Sequence, residues 1–202
     1  MKTSIVKALQ KEYSYPEYRK LIVDLLVEDK VTGIEQSEDL LNYSALNETR
    51  MHRLDKTITI LAENTALLQS LKNNYIWLVI SEGWCGDAAQ ILPVLHKMAL
   101  ASLGKIELKI VLRDENEPLM NLFLTNGAKA VPKVIVLDKA TLNVEANWGP
   151  RPAGAVHLIQ EYKEQFGKID ETVKTNLQLW YLHDKGISIQ NEITNFMLDL
   201  ER

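Results

Sequence analysis

Apolar residues recur at helical spacing through the first third of the chain. Leu21, Ile22, Leu25 and Leu26 follow Tyr15-Pro16, and Gly33 lies just past Lys30, so the spacing predicts a helix that opens at Pro16 and stops before Gly33. Ser37-Glu-Asp-Leu starts a second pattern, continued by Leu40, Leu41, Tyr43 and Leu46. Asn47 is read as the cap of a further helix through Met51 and Leu54, and a shorter helical stretch covers residues 64–71 before Asn73-Asn74 ends it. No Pro or Gly separates Gly33 from Gly83. No linker therefore divides this helical part from the rest of the chain, and its apolar faces need a partner.

From residue 75 the period changes. Tyr75-Ile-Trp-Leu-Val-Ile80 is a short apolar run suited to a strand covered on both faces. Residues 85–103 place Ile91, Leu92, Leu95, Met98 and Ala99 at helical spacing. Residues 106–112 read as a strand and 117–124 as a short helix. Residues 134–137 and 142–146 form a hairpin around Asp138-Lys-Ala-Thr141, and a helix follows over 152–166. The order β-α-β-α-β-β-α specifies an α/β class with a mixed sheet and helices on both faces. The tail from Glu171, with Leu177, Trp180 and Tyr181 and later Ile189, Ile193, Phe196 and Leu200, reads as two helices broken near Gly186. Three segments result: 1–73, a helical extension; 74–168, the alternating part; and 169–202, a helical tail.

The composition, 46% hydrophobic and 25% charged over 202 residues, is that of an ordinary globular protein. Lys and Arg total 23 against 27 Asp and Glu, a net charge of -4, the wrong sign for binding phosphate backbones, so nucleic acid is not expected as a partner. No apolar stretch approaches the roughly 20 residues of a spanning helix, so no membrane is expected either. The first residues lose their apolar run at Lys7 and Lys11 and lack a signal-peptide core, which predicts a cytoplasmic protein. Asn42-Tyr-Ser and Asn47-Glu-Thr match glycosylation acceptors and are read as chance matches in a chain without an export signal.

The single cysteine, Cys85, excludes an intramolecular disulfide and a cysteine zinc site, so any thiol chemistry involves a second molecule. His52, His96, His157 and His183 show no ligand spacing, and no metal is expected. His96 lies about 16 Å along the helix from Cys85, too far to be its base. Asp114, Glu115 and Glu117 read as a solvated helix start. The scattered glycines offer no phosphate loop, and no cofactor is expected. Trp84-Cys-Gly-Asp87 stands where strand hands over to helix, so Cys85 falls at a helix N-terminus, where free N–H groups and the dipole favour an anion. Such placement can lower a thiol pKa from about 8.5 to about 3.5–7.5, which predicts an exposed, reactive Cys85. The competing reading of an isolated cysteine is a small buried hydrophobe.

Residues 75–166 resemble a thioredoxin fold. Trp84-Cys85-Gly86 repeats the start of that family's Trp-Cys-Gly-Pro-Cys motif, and Pro93 stands where the family's active-site helix is kinked. Val131-Pro132 precedes a strand as the family's cis-proline does, and Trp148-Gly149 follows the second hairpin strand where the family has a glycine. The whole chain resembles a bacterial branch of thioredoxin-like proteins with an added N-terminal helical segment. The resemblance implies a thioredoxin-like mixed sheet, flanked here by the N-terminal extension and the C-terminal helices. It also implies a substrate-binding face made by Trp84, Gly86, Asp87, Val131, Pro132 and Lys133, with the backbone of Val131 pairing with bound peptide.

Two departures change the expected chemistry. Ala88 occupies the place of the second cysteine, so ordinary dithiol reduction is excluded. Asp87 replaces the motif's proline; its carboxylate satisfies the helix dipole yet opposes a Cys85 thiolate, and the balance stays open. Lys133 is expected near Cys85, favouring the thiolate and able to bind the carboxylate of a small thiol such as glutathione. Arg151 is placed toward the same face. The leading reading is a thioredoxin-like protein that uses Cys85 as a single catalytic thiol, in thiol–disulfide exchange with a protein disulfide or a low-molecular-weight thiol. The rival is a non-catalytic thioredoxin-fold module that binds a protein partner. Peroxide reduction ranks last, for want of a Thr or Arg arrangement around the cysteine. Substrate, reductant and oligomeric state are not predicted.

Overall fold

Cap residues set the helical start of the chain in the computed structural model, which describes residues 1–202. Four helices precede the sheet: α1 (Lys2–Ala8), α2 (Tyr15–Val27), α3 (Glu38–Thr57) and α4 (Ala62–Gln69). Ser14 and Glu17 form a reciprocal capping box at the start of α2, with Pro16 in its first turn. Ser37 caps α3 by accepting the Leu40 N–H at 3.3 Å, with Glu38 and Asp39 beside the positive end of the helix dipole. Asn47 caps nothing: α3 runs unbroken past it, and the residue is fully buried in mid-helix. α1 arises from a segment with no predicted element, and buries Ile5 and Ala8.

The alternating part contains β1 (Tyr75–Ser81), α5 (Gly86–Ala101), β2 (Ile106–Leu112), α6 (Glu117–Met120), β3 (Lys133–Asp138), β4 (Val144–Trp148) and α7 (Ala153–Phe166). The sheet order is β2-β1-β3-β4, with β1 and β2 parallel and β1–β3 and β3–β4 antiparallel. This is the mixed α/β sheet the alternating pattern implied. β1 is buried along its whole length because it is flanked on both edges and covered by helices, which is why it reads as a continuous apolar run. The turn between β3 and β4 is longer than the pattern suggested. Asp138 Oδ1 accepts from the Ala140 and Thr141 N–H groups and the Thr141 hydroxyl, and Leu142 takes a positive φ, so β4 begins at Val144. The tail forms α8 (Glu171–Asp184) and α9 (Ile187–Asp199), parted at Lys185-Gly186.

One continuous core joins all three segments. Ile5, Tyr18, Ile22, Met51, Leu54 and Leu68 belong to it from the N-terminal helices, and Leu177, Tyr181, Ile189, Ile193 and Met197 from the tail. Trp77 at the centre of β1 donates its indole N–H to the sulfur of Met197 at 3.3 Å, seating α9 on the sheet. Each large buried apolar side chain contributes about 1.5–3 kcal/mol, so five of them match an entire net stability of about 5–15 kcal/mol. Removal of residues 1–73 is therefore expected to leave a remainder without a cooperative thermal transition, checked by calorimetry; a sharp melt of residues 74–202 alone would show a separable extension.

Candidate active site

β1 delivers the chain into Ser81-Glu82-Gly83-Trp84-Cys85, and Cys85 is the N-cap residue of α5. The residues of this loop are held by parts of the chain far away in sequence. The Tyr18 hydroxyl of α2 lies 3.0 Å from the Ser81 hydroxyl. The Gly83 N–H donates to Thr32 Oγ1 at 2.8 Å, and the Gly83 carbonyl accepts from Asn47 Nδ2 at 3.0 Å. Asn47 is thus a brace between α3 and the cysteine loop, while its Oδ1 accepts from Arg50. Trp84 donates its indole N–H to the Thr32 carbonyl at 3.2 Å, and the Arg113 guanidinium lies 4.8 Å over its ring.

Across from the loop, the Val131–Pro132 peptide bond is cis, as is Gly149–Pro150. The Cys85 thiol donates to the Val131 carbonyl at 3.2 Å, so thiol and cis-proline loop are in direct contact. Gly149, with φ of 108°, lies so close to this loop that a Cβ there would stand 2.5 Å from the Pro132 carbonyl oxygen. Only glycine fits. The Val131 N–H, by contrast, takes part in no hydrogen bond within the chain.

Asp87 is 7% exposed; one carboxylate oxygen accepts from the Tyr181 hydroxyl of α8 at 2.9 Å, and the other pairs with Arg151 at 2.7 Å. Burial raises its pKa against the pull of Arg151 and Tyr181. Gln90 donates to Gln178 of α8 at 2.8 Å, and a Cβ on Gly86 would lie 3.4 Å from Gln178 Nε2 and 3.6 Å from Arg50 Nη1. The start of α5 is therefore roofed by α8, Arg50 and Arg151.

This roof reverses the expectation for Cys85. The residue is 7% exposed, and burial, with the Asp87 charge second, pushes its thiol up to about 12. The first N–H groups of α5 and the Arg151 charge favour the thiolate but do not prevail. Lys133 opens β3. Paired with Ile80 across the β1–β3 ladder, it turns its ammonium to the Gly149 carbonyl at 3.1 Å and is buried, which lowers its pKa. The cation beside Cys85 is Arg151. His96 stacks on Tyr15 with ring centroids 4.5 Å apart, outside this group.

Glu82, Asn47, Tyr181 and Gln178 are not assigned to the site by the sequence pattern. Only Glu82 carries a local signal, an acid at the end of an apolar strand. It is fully buried; Oε1 accepts the Asp114 N–H at 3.0 Å and Oε2 has no hydrogen-bond partner.

A family model described as thioredoxin matches residues 33–163, a span that begins inside the N-terminal helical segment and ends before α8. None of the curated proteins matches the chain. Among solved structures, a protein of unknown function from Pseudomonas aeruginosa is similar with a TM-score of 0.55 at 18% identity, over 94% of this chain and 99% of that one. A crystallised HIV epitope-scaffold is similar with a TM-score of 0.54 at 19% identity, over 93% of this chain and 98% of that one. Both likenesses are of fold.

Burial raises the Glu82 pKa above 4.5, only partly opposed by Thr32 and the Asp114 N–H. The folded chain thus holds this proton more tightly than the unfolded one, a contribution fully present below 4.5 and lost as pH rises through the folded value. Glu82→Gln keeps the acceptor for Asp114 without a buried charge. It is expected to be more stable than wild type at neutral pH by about 1–3 kcal/mol, with the gain vanishing below the ordinary carboxylate pKa, checked by urea melts at both pH values.

Proposed function

The chain belongs to the thioredoxin family, and on that premise we propose that Cys85 acts as a single nucleophilic thiol in thiol–disulfide exchange. The observation that carries this reading is the 3.2 Å contact between Cys85 Sγ and the carbonyl of Val131, immediately before the cis bond to Pro132. The thiol thus adjoins a peptide segment whose N–H is left for an incoming acceptor. A disulfide-containing chain laid against Val131 presents its sulfur to Cys85. Trp84, held by Thr32 and Arg113, and Gly86, which carries no side chain of its own, border the approach. Pro132 shapes the loop. Asp87 and Lys133 support this face rather than touch substrate, Asp87 by fixing Arg151 and Lys133 by holding Gly149.

The exchange balances in two steps. The Cys85 thiol loses its proton, the thiolate attacks one sulfur of the substrate disulfide, a bond forms from Cys85 Sγ to that sulfur, and the other sulfur leaves as a thiolate that takes up a proton. Ala88 offers no second thiol, so release requires an external one. A low-molecular-weight thiol attacks the substrate sulfur, returns the electron pair to Cys85 and leaves bound to the substrate. A reducing cytoplasm, the compartment we propose, supplies such thiols.

The rival reading, a module that binds a protein partner without chemistry, draws on the same site: the Cys85 thiol is pushed up to about 12 and its neighbour in the next turn is Ala88. Glutathione disulfide separates the two. The intact protein is expected to gain one glutathione on Cys85 and keep it, with no adduct on Cys85→Ser. Ala88→Cys is expected to shed the glutathione and close an internal disulfide, since residues three apart at a helix start meet the required Cα separation of about 4.4–6.8 Å. Two free thiols in oxidised Ala88→Cys, read by mass spectrometry, would favour the binding module.

A further inference from the structure

α8 lies beyond the part of the chain that the thioredoxin family model covers, yet it supplies the roof of Cys85. It is seated by the buried side chains of Val173, Leu177 and Tyr181, and its polar contacts with the site are two side-chain hydrogen bonds, Tyr181 to Asp87 and Gln90 to Gln178. The second fixes the Gln178 amide so that its Nε2 faces Gly86, at 3.4 Å from where a Cβ would be. The backbone of α8 packs chiefly on α7, which in turn buries only Ala155. Turns in the left-handed region bound α8 at both ends, at Gly167 before it and at Lys185-Gly186 after it. The other walls of the site are more firmly tied. α3 packs along α5, Asn47 binds it to Gly83, and Arg19 of α2 clasps its Glu48 and Asp55. The cis-proline loop continues directly into the β3 ladder.

We propose that α8 is a gate over Cys85, latched by the Tyr181–Asp87 and Gln178–Gln90 hydrogen bonds, and that a substrate disulfide reaches the thiol only when the latch opens. The inference rests on the reading of Cys85 as a nucleophile. In the closed form the thiol is enclosed by Val131, Asp87 and the roof. Opening breaks the two bonds, exposes the start of α5 to water and removes the burial that holds the thiol protonated. It is a local event, because the sheet and the core around Trp77 stay intact.

The test is the rate of Cys85 alkylation by iodoacetamide in the full chain, followed by mass spectrometry at urea concentrations below the unfolding transition. A local gate gives a rate that depends on urea less steeply than global unfolding does, because only α8 and its seat are exposed while the sheet stays folded. Tyr181→Phe removes one latch bond while keeping the ring, and is expected to speed labelling about fivefold. Adding Gln178→Ala is expected to multiply the rate by a similar factor, about fivefold again, with the shallow urea dependence kept. Labelling whose urea dependence equals that of global unfolding would overturn the gate, as would a wild-type rate unaffected by either substitution. Amide exchange of 171–184 in the wild-type chain is a second readout, independent of any variant. The gate predicts exchange through a weakly urea-dependent opening, ahead of β1, and exchange of α8 together with β1 would contradict it. Repeating the labelling with glutathione disulfide separates the two proposals. Alkylation through a weakly urea-dependent opening without disulfide capture supports the opening of α8 and removes the exchange reading, whereas capture faster than global unfolding and unchanged by either latch substitution supports exchange and removes the gate.

Discussion

Little water reaches the junction where β1 becomes α5, and the polar side chains buried there depend on partners inside the protein. Glu82, Cys85 and Asp87 follow one another within six positions of a fully buried strand, and burial raises the pKa of each. The partners come from every quarter of the fold. The Asp114 N–H serves Glu82, the Val131 carbonyl serves Cys85, and Arg151 with Tyr181 serves Asp87. The N-terminal and C-terminal helices are therefore part of the site's dielectric and not only of its scaffold. Without α8 and Arg50 above Gly86, the same Trp-Cys-Gly segment would face solvent.

The strengths of these interactions differ. The Asp87–Arg151 pair has one partner nearly dry and the other with 30% of its side chain exposed, so water screens it and its worth is well below that of a fully buried pair. Asn47 is in the opposite position: fully buried, with both ends of its amide engaged, it cannot lose either partner without leaving a buried polar group unpaired, at about 1–3 kcal/mol. The orphan Oε2 of Glu82 is the one charge-bearing oxygen here left unsatisfied. A carboxylate is tolerated at this point because its other oxygen is bound and the surrounding core supplies the stability that its burial removes.

Much of this was legible in the sequence where local pattern decides. The run from Tyr75, the strand-to-helix position of Cys85, the proline at 132 and the break at Gly186 each depend on neighbours a few residues away. Asn47 was misread because a cap and a buried amide look alike locally; only the docking of α3 against the Gly83 loop distinguishes them. The partner of Lys133 is not legible because the direction of its long side chain follows from the β1–β3 register and the Gly149 carbonyl, both long-range facts. The sign of the Cys85 shift was illegible for the same reason. A helix N-terminus alone lowers a thiol pKa, whereas burial, with the Asp87 charge second, raises this one, and part of the cover comes from α8, some ninety residues later. Nothing in the amphipathic pattern of the tail says which surface it covers.

The most direct measurement of this burial is an ultraviolet titration of the thiolate, wild type minus Cys85→Ser, in the folded protein. The enclosed site predicts no thiolate absorbance through neutral and mildly alkaline pH, with ionisation only as the thiol approaches about 12. A thiolate step at or below the ordinary thiol value of about 8.5 would show that the start of α5 is open to water and that the helix dipole, not burial, governs Cys85.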